Sequence, residues 1–344
     1  MIGPNGPGAL AESYARALER LECDVYRFDS DRALQTASQF SNNRVMRRIM
    51  RPLLWTRVNN STVEIARCVK PGLVLAVKCC YLHPETVRFI RVDLGIPIVN
   101  YYPDHPYCGV PLDPREGAST QRCNLIEVFR EYNAVWTWEK RLVERLCRDG
   151  VNASYLPFGV DADLFYPRKE PPSPCVECRR DHDVIFIGHY NRKRGAHISA
   201  IRRHSVALWG VGWSRLSPEP SKYHRIHTSP TFGAATSLMH LHAEISLNVV
   251  GDLNIPGHNM RTFEIPASGG IMLADYSSQQ AEFFPEDEAA AYYRTPSELD
   301  DKIDRLLCDA ELRDRIRRNG ASIAAEHTYD RRASVILREM GLSH

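Results

Sequence analysis

The chain has 344 residues, 43% of them apolar and 25% charged, which is ordinary globular usage and excludes a disordered, collagenous or coiled-coil chain. At about 150 residues per domain the length suits two domains. Lys and Arg number 44 and Asp and Glu 42, so the net charge of +2 supplies no bulk field for nucleic acid. No run reaches the roughly 18–20 apolar residues that span a bilayer. The opening residues lack the basic and apolar regions of a signal peptide. A cytoplasmic protein is expected, with its ten cysteines reduced.

In chain order, Leu10, Tyr14, Ala17, Leu18 and Leu21 share one face of a helix over residues 10–21. Residues 25–28 read as a short strand. Residues 44–58 are a basic helical stretch, and residues 73–77 a continuous apolar run typical of a buried parallel strand. Residues 84–94 read as a helix with Pro84 at its first position. Strands follow at 96–102, 135–138 and 153–156, with a helix at 140–148 closed by Gly150. Residues 167–183, rich in Pro and charge, read as a linker. The alternation then restarts. Strands are expected at 184–188, 206–210, 243–250 and 270–274, and helices at 198–203, 260–267, 297–307, 310–320 and 329–340. Residues 214–230 read as irregular. Two successive strand–helix sets imply two α/β domains with largely parallel sheets. Ligands of such sheets bind beyond the carboxyl ends of the strands, and a cleft between two such domains is the expected site.

Several residue groups could carry chemistry. Gly3-Pro-Asn-Gly6-Pro-Gly8 precedes the first helix, where glycines let backbone N–H groups approach a phosphate or sugar. Its spacing departs from the dinucleotide fingerprint G-x-G-x-x-G, although Asp29 stands where a ribose-binding acid would. The first strand is almost absent. The Cys175–Cys178 pair is a lone C-x-x-C and lacks two further zinc ligands, so no metal is expected. Asp104 and His105 lie past a strand's carboxyl end, where either could act as general base on an acceptor hydroxyl, or merely shape the loop. The densest group is Asn248, Asn254, His258, Asn259, Arg261 and Glu264. Arg261 and Glu264 share a helix face. An Arg and amides at a helix start suit a pyrophosphate, and a Glu one turn in suits a ribose diol. The alternative is a solvated Arg–Glu pair. The stretch 44–57 reads as a solvated helix face with Trp55 and Leu54 packed inward, or as a contact with an anionic acceptor or membrane surface.

The run Asn259-Met-Arg-Thr-Phe-Glu-Ile-Pro-Ala-Ser-Gly-Gly270, with Ala274-Asp275, residues 280–285, Tyr292 and residues 311–330, resembles the CgeB-type (spore maturation protein) glycosyltransferases. Leu156-Pro-Phe-Gly-Val-Asp161 resembles the interdomain passage of two-domain glycosyltransferases. Phe186-Ile-Gly188 and Leu208-Trp-Gly-Val-Gly-Trp213 resemble the first strand-loops of a donor domain. The resemblance covers residues 130–335 well and the first half weakly. It implies the GT-B architecture, two Rossmann-like domains with parallel sheets facing across a cleft. Residues 1–160 would form the acceptor domain, 161–183 the linker and 184–328 the nucleotide-sugar domain. Residues 329–344 would form a helix crossing back to the first domain.

The resemblance places Glu264 on the donor ribose, Arg261 and Asn259 near the diphosphate, and Glu282 near the sugar. Gly188, Gly210, Asn248, His258 and the cluster Arg192, Lys193 and Arg194 complete the donor side. Asn5, Gly6 and Gly8 form an acceptor-side loop, and Asp104, His105 and Arg261 are the catalytic candidates. Many related retaining enzymes carry a second Glu eight residues before the first. Here that position is Pro256, with Asp252 a replacement candidate. The implied activity is sugar transfer from a UDP-, GDP- or dTDP-linked donor to an acceptor hydroxyl, without metal or other cofactor and without nucleic acid as partner. The alternatives are a degenerate nucleotide- or glycan-binding module, a nucleotide-sugar epimerase, or an NAD-dependent enzyme.

Overall fold

The structure, a computed structural model, describes residues 1–6, 8–30, 32, 44–107, 120–167, 182–216, 224–227, 229–251 and 257–342, and of 44–51 and 120–124 the backbone alone. Cys175, Cys178, Asp252, Asn254, Pro256 and most of the expected linker lie outside these residues. The chain divides into two compact units. One comprises residues 1–157 and 336–344, the other residues 158–335.

Unit 1 is built on a six-stranded parallel sheet of order β2-β1-β3-β4-β5-β6. The strands are β1 (Ile2–Gly3), β2 (Phe28–Asp29), β3 (Val74–Val77), β4 (Ile98–Tyr102), β5 (Ala134–Thr137) and β6 (Ala153–Tyr155). β3 and β4 are buried at every residue. That follows from the unbroken apolar character of β3 and from a β4 that is apolar apart from Asn100, because crossover helices cover both faces of a parallel sheet. Gly3 is demanded by packing: a Cβ there would stand 2.7 Å from the Ala11 Cβ of the Leu10–Arg20 helix. The expected helix at 84–94 is an α-helix over Pro84–Arg88 that continues as a π-helical turn, Phe89–Asp93. A further helix, Thr120–Glu131, precedes β5.

Unit 2 repeats the plan with order β12-β11-β10-β7-β8-β9, again all parallel. The strands are β7 (Val184–Ile187), β8 (Val206–Trp209), β9 (Arg225–His227), β10 (Ile245–Asn248), β11 (Met272–Asp275) and β12 (Ala291–Tyr293). β9 lies within the stretch expected to be irregular. It is an edge strand with an exposed Arg225 and only two partly buried residues, so it shows no apolar alternation. The expected helix at 198–203 is displaced: it spans Arg192–Ala200. Ile201 is extended, and the Asp300 carboxylate accepts the N–H groups of Arg202 and Arg203 instead of helical carbonyls doing so.

The passage at 156–161 belongs structurally to unit 2 from Phe158 onward. Val160 N–H donates to His327 O (2.8 Å) and Tyr329 N–H to Val160 O (2.9 Å). A Cβ on Gly159 would stand 2.8 Å from His327 O, so this backbone approach requires glycine. The buried Arg332 donates to Phe158 O (3.2 Å). In each sheet the chain reverses its direction of travel once: between β1 and β3 in unit 1, and between β7 and β10 in unit 2. The crevices outside the carboxyl ends of those strand pairs are where ligands of such sheets bind.

Candidate functional site

In unit 2 the crevice is bounded by the loops after β7 and β10. Gly188 follows β7 and Gly210 follows β8. Gly210 has φ 137°, and a Cβ on it would collide with the Gly188 carbonyl, so the two loops touch through bare backbone. Trp213 Nε1 donates to that same Gly188 carbonyl (2.8 Å) and fixes it.

The Arg192–Ala200 helix starts at this crevice because the Asn191 side chain caps it, accepting the Arg194 N–H (2.8 Å). Its first turn delivers three cations. Arg192 is exposed. Lys193 Nζ donates to Asp275 Oδ2 (2.7 Å) and to Val250 O (2.8 Å), and Asp275 Oδ1 accepts the Val250 N–H (2.8 Å). Arg194 donates to Val249 O (3.2 Å) and His189 O (3.0 Å). Burial, then repulsion from Arg261, brings its guanidinium down to about 10. The same burial, together with Arg194, lowers the neighbouring His189.

The second wall is the Arg261–Ala267 helix. Arg261 donates to Ile187 O (3.4 Å) and pairs with Glu264 through Nη1 and Oε2. The buried Asn248 at the end of β10 holds the preceding loop. Its Nδ2 donates to Asn259 Oδ1 (3.2 Å) and Gln280 Oε1 (3.2 Å), and Asn259 Nδ2 returns a bond to Asn248 Oδ1 (2.9 Å). Thr262 Oγ1 donates to Gln280 Oε1 (2.8 Å), and Gln280 Nε2 to Asp275 O (2.9 Å). The network joins both walls to β11. Lys193, Arg194 and Arg261 face two carboxylates, Asp275 and Glu264, so the crevice keeps an excess of positive charge before Arg192 is added. An anion of two or more charges would offset it, and the repulsion between Arg194 and Arg261 with it.

Residues 192–338 match a family model described as glycosyl transferase-like. No curated protein matches the chain in sequence. Among solved structures, a glycosyltransferase from Rickettsia africae is 11% identical with TM-score 0.65, over 100% of this chain and 99% of that one. HepE from Anabaena, in complex with UDP, is 13% identical with TM-score 0.64 over the same shares. Sucrose-phosphate synthase from Thermosynechococcus elongatus is 13% identical with TM-score 0.60, covering 85% of this chain and 79% of that chain. The fold is GT-B.

Within this GT-B frame the expected donor-side residues divide. Gly188, Lys193, Arg194, Gly210, Asn248, Asn259, Arg261 and Glu264 gather around one crevice. Glu282 is exposed on the Ser278–Phe283 helix. His258 requires a correction. It is fully buried, ringed by Phe158, Phe263 and Phe283, and its Nε2 accepts the Phe158 N–H (3.1 Å). It is a core residue, not one that reaches a donor. Asp275, Gln280 and Thr262 were not assigned roles in the sequence, although Asp275 and Gln280 stand in the runs that carry the resemblance.

The expected acceptor-side residues lie in unit 1, also beyond strand ends. Gly6 has open space where a Cβ would stand, and Gly8 has φ 77°. Asn5 and Gly6 immediately precede the Leu10–Arg20 helix, whose N-cap Ala9 offers no side-chain cap. Asp104 pairs with Lys78 Nζ (2.8 Å), both about half exposed. Lys78 (φ 72°) and Cys79 (φ 22°) form a strained turn at the end of β3 that points the lysine there. His105 Nδ1 accepts the Tyr107 N–H (3.3 Å). A neutral His105 therefore carries its proton on Nε2.

Burial lowers His258 from its ordinary 6.5 to about 3, and His327 beside Arg332 to about 4. Both are neutral when folded and protonate near 6.5 when unfolded, so the unfolded state binds more protons below that value. Stability is thus lost as the pH falls from about 6.5 towards 4. His258→Gln, which keeps an acceptor but does not titrate, is expected to flatten that part of a melting-temperature profile against pH. An unchanged slope would show that His258 is not held neutral.

Proposed function

We propose that this chain is a glycosyltransferase of the CgeB-like type, transferring a sugar from a nucleoside-diphosphate sugar to an acceptor hydroxyl. One observation carries the reading: beside the strand-order reversal of unit 2, the touching Gly188 and Gly210 loops adjoin Lys193, Arg194, Arg261 and Glu264, the four side chains lying within the residues that match the glycosyl transferase-like model. Bare backbone and cations suit a diphosphate. A carboxylate one helical turn along suits a ribose diol.

The chemistry follows from charge. The acceptor oxygen attacks the anomeric carbon, and the bond to the diphosphate breaks with its electron pair going to the departing oxygen. Preorganised cations aimed at that developing charge lower the barrier, and losing one donor of this kind typically costs about 10²–10³ in rate. Arg192, Arg194 and Arg261 take this role, so the reading assigns no metal to the leaving group. Lys193 is spent on Asp275. On an inverting route the acceptor proton passes to a base. Asp104 is the better candidate, since the Nδ1 lone pair of His105 already accepts the Tyr107 N–H. HepE structures hold UDP, UDP-glucose, and UDP with glucose, which makes UDP the first donor nucleotide to test.

Glu264→Gln keeps the side-chain shape and removes the charge that meets Arg261 and the ribose. It is expected to weaken binding of the preferred nucleoside diphosphate by about tenfold or more, in line with loss of a charge-assisted bond, in a variant that folds with a lowered melting temperature because Arg261 loses its partner. Undiminished affinity in the folded variant would remove Glu264 from the site. Chelation with EDTA is expected to leave nucleotide affinity unaltered; a loss that magnesium restores would overturn the metal-free assignment.

A further inference from the structure

We propose that His258 and Arg332 are positioning residues for the unit 2 crevice. Between them they hold both backbone polar groups of Phe158, and so link the helix that carries Arg261 and Glu264 to the point where the chain enters unit 2. Phe158 is the first residue of that unit, and Arg332 stands close to its last, Val335.

The links are short. His258 Nε2 accepts the Phe158 N–H (3.1 Å). Arg332 Nη2 donates to Phe158 O (3.2 Å) and to His327 Nδ1 (2.7 Å). The His258 and His327 rings then pack on the same two residues. Their centroids lie 5.4 and 5.2 Å from Phe263, and 5.3 and 5.1 Å from Phe283. Phe263 comes two residues after Arg261, about 200° around the helix, so it is fully buried while Arg261 borders the crevice. His258 directly precedes Asn259, which Asn248 holds. One path from the crevice to Phe158 thus runs through the helix, and a second through the loop ahead of it.

Packing alone does not call for these polar groups. A phenylalanine at 258 would also fill the ring cluster. Arg332 is only 8% exposed, and burying a guanidinium costs desolvation that an apolar side chain avoids. What the polar groups add is a fixed arrangement: the N–H and the carbonyl of one residue are held at once, and with them the placement of the passage against the Arg261–Ala267 helix. The next step rests on the reading of the crevice as a nucleoside-diphosphate site. A ligand that draws on Arg261 and Glu264 then tightens Phe158, and by reciprocity a fixed Phe158 favours the ligand.

The test is hydrogen–deuterium exchange of the full chain, resolved at single amides, with and without UDP, GDP or dTDP. A bound diphosphate should slow the Phe158 amide by about tenfold or more, an ordinary size for coupling between sites. The slowing should persist in His258→Gln, which keeps an acceptor, and vanish in His258→Phe and in Arg332→Met. A diphosphate that binds by calorimetry without slowing Phe158, or slowing that survives in folded Arg332→Met, would overturn the proposal. A ligand-free comparison separates it from the nucleotide reading. The Phe263 and Glu264 amides donate to Met260 O at the start of the helix, and without nucleotide Arg332→Met should speed their exchange by about tenfold. Unchanged exchange there would overturn the proposal whether or not a nucleotide binds. Faster exchange there, with no diphosphate binding the native chain, would support the positioning role and overturn the nucleotide reading alone.

Discussion

The ion pair between Lys193 and Asp275 is the contact on which the unit 2 crevice depends. The two side chains are only 13% and 8% exposed, and between them they hold three segments: the Arg192–Ala200 helix, the end of β11 and the loop after β10. A buried pair of this kind contributes little net stability against its desolvation. Removing one partner, however, strands a charge and costs about 3–5 kcal/mol. Its value lies in position. With Lys193 tied down, Arg194 is carried against Val249 O and His189 O, and Val250 is clamped from both its N–H and its carbonyl.

The rest of the crevice is arranged around that clamp. Asn248, Asn259, Thr262 and Gln280 form a closed set of amide and hydroxyl bonds that sets the start of the Arg261–Ala267 helix. That start places Arg261 against Ile187 O, at the end of the first strand of the unit. The loops after β7 and β8 touch because Gly188 and Gly210 leave no side chain between them. Unit 1 offers the same topological opening between β1 and β3, but with a different device: a strained Lys78–Cys79 turn and a half-exposed Lys78–Asp104 pair.

Much of the fold was legible in sequence. Central strands such as β3, β7 and β11 are short unbroken apolar runs, which a sheet covered on both faces requires. The edge strand β9 was not legible, because it is short and carries no apolar run; β12 was missed although its three residues are apolar and buried. The Arg192–Ala200 helix carried its start signal in Asn191. Its interior, with Gly195 and His197, has weak helix propensity and invited a later start. Arg261 and Glu264 could be paired by spacing alone. The role of His258 could not, since its partner Phe158 lies 100 residues away. Asp275 and Gln280 stood in recognisable runs, but their partners lie on other elements, Lys193 in the Arg192–Ala200 helix and Asn248 at the end of β10, and only the sheet order brings them together.

The central claim is that the unit 2 crevice binds a nucleoside diphosphate through paired charge and bare backbone. The most direct measurement is calorimetric titration of the full chain with UDP, GDP and dTDP, each beside its monophosphate and beside NAD. The account predicts that one diphosphate binds at least about tenfold more tightly than its monophosphate, because the second phosphate meets the Arg194 and Arg261 charge. Equal affinity for mono- and diphosphate, or binding of NAD alone, would contradict it.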